Sequence, residues 1–243
     1  MNCTFERPHI FLNDPSDLSK GKSRKYKVVD YADCKPSQII IRDEIMQSFG
    51  ILLCFLADHP HLLHNIILTD TNSYGLCVLR MNVGAKKEYI YIDDYTLCEK
   101  RTPLFTQPIR GIYMWPCLLE KGWFKVKGYI NHAIEKTSPL EIFKYFLSYP
   151  ITTYNFIEGD EYYNNKLLED YLVRPNTDRG YILSSRAAPT HKIGISGRKY
   201  FYLLLSVKFE GRQVFYLRNP CTSFDFRGLY RIIPEELAAI LKI

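Results

Sequence analysis

The sequence has 243 residues and a formal net charge of +6, with 47% hydrophobic, 24% charged and 14% aromatic residues. This length suffices for one large domain or two small lobes, and the composition is ordinary for a soluble globular protein. The longest apolar run, residues 49–57, is far shorter than the roughly 20 residues that a membrane-spanning helix needs, which argues against a membrane span.

Residues 1–38 are rich in turn-forming and polar residues, and we expect them to form an N-terminal wrapping segment rather than a domain. This segment contains a basic run, SKGKSRKYK, at 19–27. The run is typical of a solvated loop, and its charge would also suit an acidic protein partner. No signature of a nucleic-acid-binding module accompanies it, so nucleic acid is not predicted as a partner.

Residues 39–67 have the apolar periodicity of helices. Apolar side chains recur at three- and four-residue steps at Ile45, Phe49, Leu52 and Leu53. The first helix is expected to end at Asp58-His59-Pro60, because proline cannot continue a helix and restricts the residue before it. The same proline suits the first turn of a second, short helix.

The next segments are predicted to form a hairpin, a loop and two helices. Residues 74–82 and 88–93 are rich in β-branched and aromatic side chains, which favours strands around a glycine-containing turn. Residues 94–107 contain two prolines and are predicted to be a loop. Residues 113–131 have apolar side chains at helical spacing, and Ser138-Pro139-Leu140-Glu141 has the cap, the proline and the acid of a helix start.

The second half of the chain has a different character. A segment at 158–172 is acidic and aromatic and favours a helix or a loop. The strand-like segments of this half are 151–154, 180–183, 199–209 and 213–218. A helical part followed by a β-rich part predicts an α+β fold, with a helical lobe at 39–150 and a β-rich lobe at 151–243.

Four segments, taken in order, carry a family resemblance. They are LADHPHLL at 56–63, YIDDYTL at 91–97 followed by PLF at 103–105, LLEKGWFKVKG at 118–128, and LRNP at 217–220. They resemble four segments that occur in the same order in the calpain-type cysteine protease core. The first of these is the helix–turn–helix that follows the catalytic cysteine. The resemblance covers about residues 40–230 and implies a papain-like fold of two lobes with a cleft between them.

The resemblance also implies a cysteine at a helix N-terminus, activated by a histidine that an asparagine orients. Counting from the matching segments places Gln47 at the cysteine position and Lys199 at the histidine position, so that only Asn219 is retained. Glutamine has no ionisable proton, and lysine is charged near neutral pH, so neither replaces the missing group. Three further positions differ from the family: Ile41 near the oxyanion glutamine, and Ser48 and Cys221 at two tryptophans.

An alternative assignment keeps the protease active, with Cys54 as nucleophile, His191 as base and Asn219 in its family role. Cys54 lies seven residues past the expected position, which is about two helical turns or roughly 10 Å along the axis. His191 is likewise displaced from the expected strand. A cysteine on an apolar helix is usually a small core residue, which makes this the weaker assignment.

Metal ions and cofactors are not predicted. The seven cysteines are odd in number, scattered and without a C-x-x-C pair, which indicates reduced thiols in the cytosol. His59, His61 and His64 lie close together, but no carboxylate or thiol motif completes a zinc site. Asp93-Asp94 and the acidic stretch at 158–161 lack the pattern of an EF-hand calcium loop.

The sequence therefore predicts a non-catalytic calpain-like pseudoprotease that acts as a scaffold or a protein-binding module. The alternative is an active cysteine endopeptidase that uses Cys54, His191 and Asn219. A third reading is a vestigial cleft that holds an extended peptide by strand pairing. The predicted location is the cytoplasm, and resemblance to dead calpain-like domains, the androglobin group among them, adds the cytoskeleton or the cilium as a context and an acidic or cytoskeletal protein as a partner.

Overall fold

A computed structural model divides the chain into two compact units, Met1–Tyr149 (unit 1) and Pro150–Ile243 (unit 2). The residues that the structure describes are 3–11, 26–69, 74–108, 113–128, 130, 137–152, 160, 166, 181–184, 201–209, 212–220 and 228–232. Within these ranges, the helices are all too short or too polar to cross a membrane.

Unit 1 contains the described helices and seven of the strands. The helices are α1 (Pro8–Phe11), α2 (Gln47–Asp58), α3 (Pro60–Ile66), α4 (Trp115–Lys127) and α5 (Pro139–Phe146). The strands are β1 (Cys3–Glu6), β2 (Ile39–Ile41), β3 (Leu76–Val83), β4 (Lys86–Asp93), β5 (Thr96–Glu99), β6 (Thr102–Pro103) and β7 (Thr106–Pro108). Unit 2 contains β8 (Tyr181–Ser184), β9 (Phe201–Phe209), β10 (Arg212–Asn219) and β11 (Gly228–Ile232).

Helix α2 is the centre of unit 1, and every residue from Phe49 to Ala57 is buried. A helix that is apolar around its whole circumference must be covered on every side. Helix α5 supplies part of that cover, because the rings of Phe49 and Phe146 lie 6.1 Å apart and those of Phe55 and Phe143 lie 5.3 Å apart. The predicted apolar stripe is therefore confirmed at Phe49, Leu52 and Leu53, and it widens to the whole circumference of the helix. Ile45, which was also predicted to lie on the stripe, precedes the helix and is 46% exposed.

The start of the predicted helix was wrong. Residues Ile39–Ile41 form strand β2, which pairs antiparallel with β7, and a 3₁₀ turn at Glu44–Met46 leads into α2. Three consecutive isoleucines are β-branched and are compatible with an extended backbone, and the pairing with β7 makes this segment a strand. The end of the helix is as predicted, since α2 stops at Asp58 and Pro60 opens α3.

Strands β3 and β4 form the predicted hairpin around Gly84, whose φ is +63°. One face of the hairpin is buried and includes Leu79 and Met81. Helix α4 packs against this face at Gly122, where a Cβ atom would collide with the Leu79 side chain. Glycine at that position lets the helix approach the hairpin more closely than any other residue would.

The predicted loop at 94–107 was also wrong, because it contains three short strands. Strand β5 pairs with β6, and β7 pairs with β2. Strands of two to four residues are too short to show a periodic pattern in sequence. The N-terminal segment likewise contains a strand that turn-rich composition did not predict, since β1 pairs antiparallel with β5.

A buried carboxylate ties this N-terminal segment to the hairpin. Asp94 is 5% exposed, and its Oδ1 accepts a hydrogen bond of 3.1 Å from Arg7 Nε. Its Oδ2 accepts a hydrogen bond from the hydroxyl of Tyr26, and burial together with that bond raises the pKa of Tyr26. Arg7 also donates to the Tyr74 carbonyl at 3.0 Å. One carboxylate thus holds two residues that lie on either side of the segment 12–25.

Unit 2 is described through its four-stranded antiparallel sheet, in the order β11-β10-β9-β8. The strands predicted at 180–183, 199–209 and 213–218 are confirmed as β8, β9 and β10. Ile151 and Thr152 lie outside any strand, contrary to the prediction, and the remainder of 151–154 lies outside the described residues. The prediction for 158–172 falls outside them too, apart from Asp160 and Lys166.

The Asp94 contacts predict that Asp94→Asn destabilises unit 1 by about 2–3 kcal/mol. The substitution replaces a buried carboxylate, which accepts from Arg7 and Tyr26, by a neutral amide, so that two charge-assisted hydrogen bonds are weakened. The 31% exposure of the Arg7 side chain moderates its share of the loss. The measurement is urea unfolding followed by tryptophan fluorescence. Both tryptophans, Trp115 and Trp123, lie on α4, so the signal reports unit 1 alone.

The neighbouring carboxylate provides the matched control. Asp93 forms its ion pair with Lys121 at the surface, with 56% of its side chain exposed, so Asp93→Asn should cost less than about 1 kcal/mol. Equal losses in the two variants would contradict a special role for Asp94.

Candidate active site

Gln47 is the first residue of α2, at the position where the family resemblance implies a nucleophilic cysteine. Its side chain is 6% exposed, and the residue before it, Met46, has φ −91° and ψ 8° and makes no side-chain cap. The unpaired N–H groups of a helix N-terminus stabilise a negative charge, which is why a thiolate suits such a position. The Gln47 side chain is a neutral amide, so it has no negative charge for the helix N-terminus to stabilise.

The segment that leads into this helix is fixed by β7. Ile41 pairs with Thr106 in the β2–β7 register, and the N–H of Arg42 donates to the Phe105 carbonyl at 3.0 Å. The Ile41 side chain is fully buried, with 0% exposure. A hydrocarbon at this place donates no hydrogen bond, so Ile41 does not supply the side-chain amide that the family places near the oxyanion.

A second set of buried polar groups lies beneath β7. Cys117 on α4 donates a hydrogen bond of 3.2 Å from its sulfur to the Thr106 carbonyl. Glu120, one turn further along α4, is 5% exposed, and in the described part of the chain its Oε2 has no hydrogen-bond partner. Burial raises the pKa of Glu120 to about 8, although Thr106 beside it favours the charged form. Burial therefore favours the neutral form of this carboxyl group in the folded protein.

Cys54, the alternative nucleophile, lies inside the core of unit 1. It is on α2, seven residues after Gln47, and its exposure is 4%. Its neighbours Leu53 and Phe55 are buried as well. This is the environment of a cysteine that acts as a small apolar side chain.

The structure places the remaining predicted site residues as follows. Asn219 ends β10 in unit 2 and pairs with Gly228 of β11. Lys199, His191 and Cys221 lie outside the described residues. Gln47 and Cys54 thus share one helix of unit 1, whereas Asn219 belongs to unit 2.

The three clustered histidines each have an aromatic neighbour. The ring of His64 stacks on Tyr31 at 3.5 Å, and that of His59 stacks on Phe55 at 4.4 Å. His59 and His61 contact each other edge to face at 6.1 Å. Among the residues that the structure describes, no group of three or more His, Cys, Asp or Glu side chains is arranged to hold a metal ion.

The comparison with known families agrees with the motifs. A family profile described as calpain family cysteine protease matches residues 51–231, which is about three quarters of the chain. The chain belongs to the calpain family. A search of curated proteins found no match. The resemblance predicted from the four segments is confirmed at this level, and the mixture of helices and sheets fits a calpain-family domain.

The family match covers most of α2. It begins at Ile51, four residues after Gln47, so the first turn of α2 lies outside the matched segment. Cys54 and Asn219 lie within it.

Four described thiols in this calpain-family chain are held in the protonated form. Burial raises the pKa of Cys34 and Cys98 to about 12 and that of Cys77 to about 11. Burial also raises the pKa of Cys117 well above its usual value. A cysteine nucleophile reacts as a thiolate and needs the opposite shift.

Sequence reasoning missed two residues of the calpain-family chain that the structure makes important. Glu120 is a lone acid at core spacing, between Leu119 and Trp123, and that spacing was the signal that could have identified it. Asp94 gave no comparable signal, because its partner Arg7 lies 87 residues away.

The Glu120 environment predicts that unit 1 becomes less stable as the pH rises. The folded-state pKa is raised above its ordinary value of 4.5, so the stabilisation is complete below 4.5 and is lost as the pH passes about 8. We expect the free energy of unfolding to fall by roughly 2–4 kcal/mol across this window. Urea unfolding followed by tryptophan fluorescence at several pH values measures it.

Glu120→Gln is the matched control for the pH effect. The amide cannot ionise, so its stability should change much less over the same pH range. If wild type and Glu120→Gln gave parallel profiles, another group would be responsible.

Proposed function

We propose that this chain is a non-catalytic member of the calpain family and acts as a scaffold or protein-binding module. The observation that carries the proposal is Gln47 at the N-terminus of α2, where a calpain-type protease needs a cysteine. A carboxamide has no proton that ionises near neutral pH, and its nitrogen lone pair is delocalised into the carbonyl group, so it does not act as the nucleophile of this reaction class.

The second catalytic position supports the same proposal through the sequence. Spacing from Asn219 assigns Lys199 to the place of the histidine base. A lysine is protonated near neutral pH and does not accept a proton as imidazole does. Each loss alone costs orders of magnitude in rate, and the groups of such a unit act together.

The alternative function is a cysteine endopeptidase that uses Cys54, His191 and Asn219. The burial of Cys54 at 4% exposure counts against it, because substrate must reach the sulfur and the thiolate must be stabilised. Cys54 also lies about two turns inside α2, where the dipole of the helix N-terminus no longer acts.

The cellular role follows from the family and remains a prediction. A calpain fold without its nucleophile retains its surfaces, and protein binding is the function that those surfaces can still perform. An acidic or cytoskeletal protein is the proposed partner, and the cytoplasm, with the cytoskeleton or the cilium, is the proposed location.

Labelling with an epoxide-type cysteine-protease probe tests the proposal on the full chain. We expect that no cysteine is labelled selectively, with or without calcium, because the described thiols are buried or lack activation. Peptide mass spectrometry assigns each labelled residue. An active papain-like protease serves as the positive control for the probe.

The His191→Ala variant makes the test decisive. Selective labelling of Cys54 that disappears in His191→Ala would overturn the proposal and establish a rearranged protease. Labelling that is equal in wild type and His191→Ala would reflect simple thiol exposure and would leave the proposal standing.

The free energy of unfolding tests whether Cys54 is a core residue. Cys54→Ser should lower the free energy of unfolding of unit 1 by about 1–3 kcal/mol, because it places a hydroxyl group in an apolar core. Cys3→Ser is the matched control, since Cys3 is exposed and its replacement should leave stability within about 0.5 kcal/mol. A Cys54→Ser variant as stable as wild type would contradict the core assignment.

A further inference from the structure

The outer face of the β3–β4 hairpin carries an exposed alternating pattern along β4. Tyr89 is 60% exposed and Tyr91 is 58% exposed, and Lys87 and Asp93 on either side are exposed as well. Ile92, between the last two, is buried on the opposite face. We call Lys87, Tyr89, Tyr91 and Asp93 the β4 outer face.

The backbone N–H and C=O groups of the same residues are directed away from β3. In the β3–β4 register Tyr91 lies opposite Val78, whose carbonyl accepts from the Leu68 N–H and whose N–H donates to Thr69 Oγ1, both at 2.9 Å. The Tyr91 carbonyl accepts instead from Lys125 Nζ, at 2.6 Å. Val78 and Tyr91 are therefore a non-hydrogen-bonded pair, whose backbone groups face outward.

Hydrogen-bonded and non-hydrogen-bonded pairs alternate along the β3–β4 ladder. Every second residue of β4, counted from Tyr91, therefore directs its backbone N–H and C=O away from β3. These residues are those of the β4 outer face. Within the described ranges β4 pairs with β3 alone. An edge of this kind is a template for another strand.

The sequence of β4 is complementary to itself in antiparallel orientation. If Ile90 lies opposite Ile90 of a second copy, Tyr89 lies opposite Tyr91 and Lys87 lies opposite Asp93, each pair occurring twice. Aromatic and oppositely charged cross-strand pairs both stabilise a sheet. The same register places the outward backbone groups of Tyr89 and Tyr91 in hydrogen-bonded positions.

We propose that two copies of this chain associate through β4, which pairs antiparallel about a two-fold axis at Ile90. The contact is isologous, because the same residues serve on both sides. It joins two two-stranded hairpins into one four-stranded sheet across the dimer. This surface lies on unit 1 and does not depend on whether the chain hydrolyses peptides.

Lys125 limits the strength of the association. Its ammonium group donates a hydrogen bond to the Tyr91 carbonyl oxygen. In the dimer the same oxygen must accept a hydrogen bond from a backbone N–H of the second copy. Lysines beside an edge strand commonly oppose strand addition. One pair of edge strands also forms a small interface, so we expect reversible, concentration-dependent dimerisation in the micromolar range.

The test is sedimentation velocity of the full chain across the micromolar range, with charge-swapped variants. Lys87→Asp places Asp against Asp in the homodimer, and Asp93→Lys places Lys against Lys, so each should weaken self-association by about tenfold or more. An equimolar mixture of the two variants restores both opposite-charge pairs and should dimerise as wild type does.

Lys86→Asp is the control for the charge change. It alters an equally exposed neighbouring lysine that lies outside the β4 outer face, so its dimerisation should match that of wild type. Lys125→Met keeps the length of the side chain but frees the Tyr91 carbonyl, and it should strengthen dimerisation. Circular dichroism confirms that each variant is folded.

Three results would overturn the proposal. They are a wild-type chain that stays monomeric throughout, equal weakening by Lys87→Asp and Lys86→Asp, and a mixture of folded Lys87→Asp and Asp93→Lys chains that fails to associate. Should Asp93→Lys not fold, the comparison of Lys87→Asp with Lys86→Asp decides alone.

Discussion

The burial of α2 on every side is the constraint on which unit 1 depends. A helix without a polar face gains stability only when other elements cover it. The elements that contact α2 are α3, α5, β2 and two 3₁₀ turns, at Pro36–Gln38 and Glu44–Met46. This packing fixes the position of Gln47 at the start of the helix and of Cys54 in its interior. The same constraint therefore supports the fold and separates a cysteine of the core from a cysteine of an active site.

Two acidic side chains in unit 1, Asp94 and Glu120, are buried, and the energetic cost of removing a charge from water is met differently in each. Asp94 accepts hydrogen bonds from Arg7 and Tyr26, so its charge has partners when it is removed from water. Glu120 forms no ion pair with any described residue, and burial shifts its pKa upward so that the neutral form is favoured. The hydrogen bonds of Asp94 connect the N-terminal segment to the hairpin. The raised pKa of Glu120 is the basis on which we expect the stability of unit 1 to depend on pH.

The proposed loss of catalysis and the proposed self-association concern different parts of the calpain-family chain. The proposed loss of catalysis rests on Gln47 in the first turn of α2, which follows strand β2 and its pairing with β7. The proposed association rests on β4, whose outer face is formed by exposed residues.

The sequence by itself determined the family, the main helices, the hairpin and three of the four described strands of unit 2, because motif order, proline caps and long apolar patterns are local properties. The assignment of Gln47 and Asn219 to catalytic positions comes from family spacing along the chain and stays a prediction. Only the tertiary structure decided that Ile39–Ile41 is a strand paired with β7 and that 94–107 contains three strands, because short strands are defined by their partners. It alone brought Arg7 to Asp94, buried Glu120 and turned the backbone of Tyr91 away from β3, toward Lys125. Burial and pairing depend on contacts between residues that are distant in sequence.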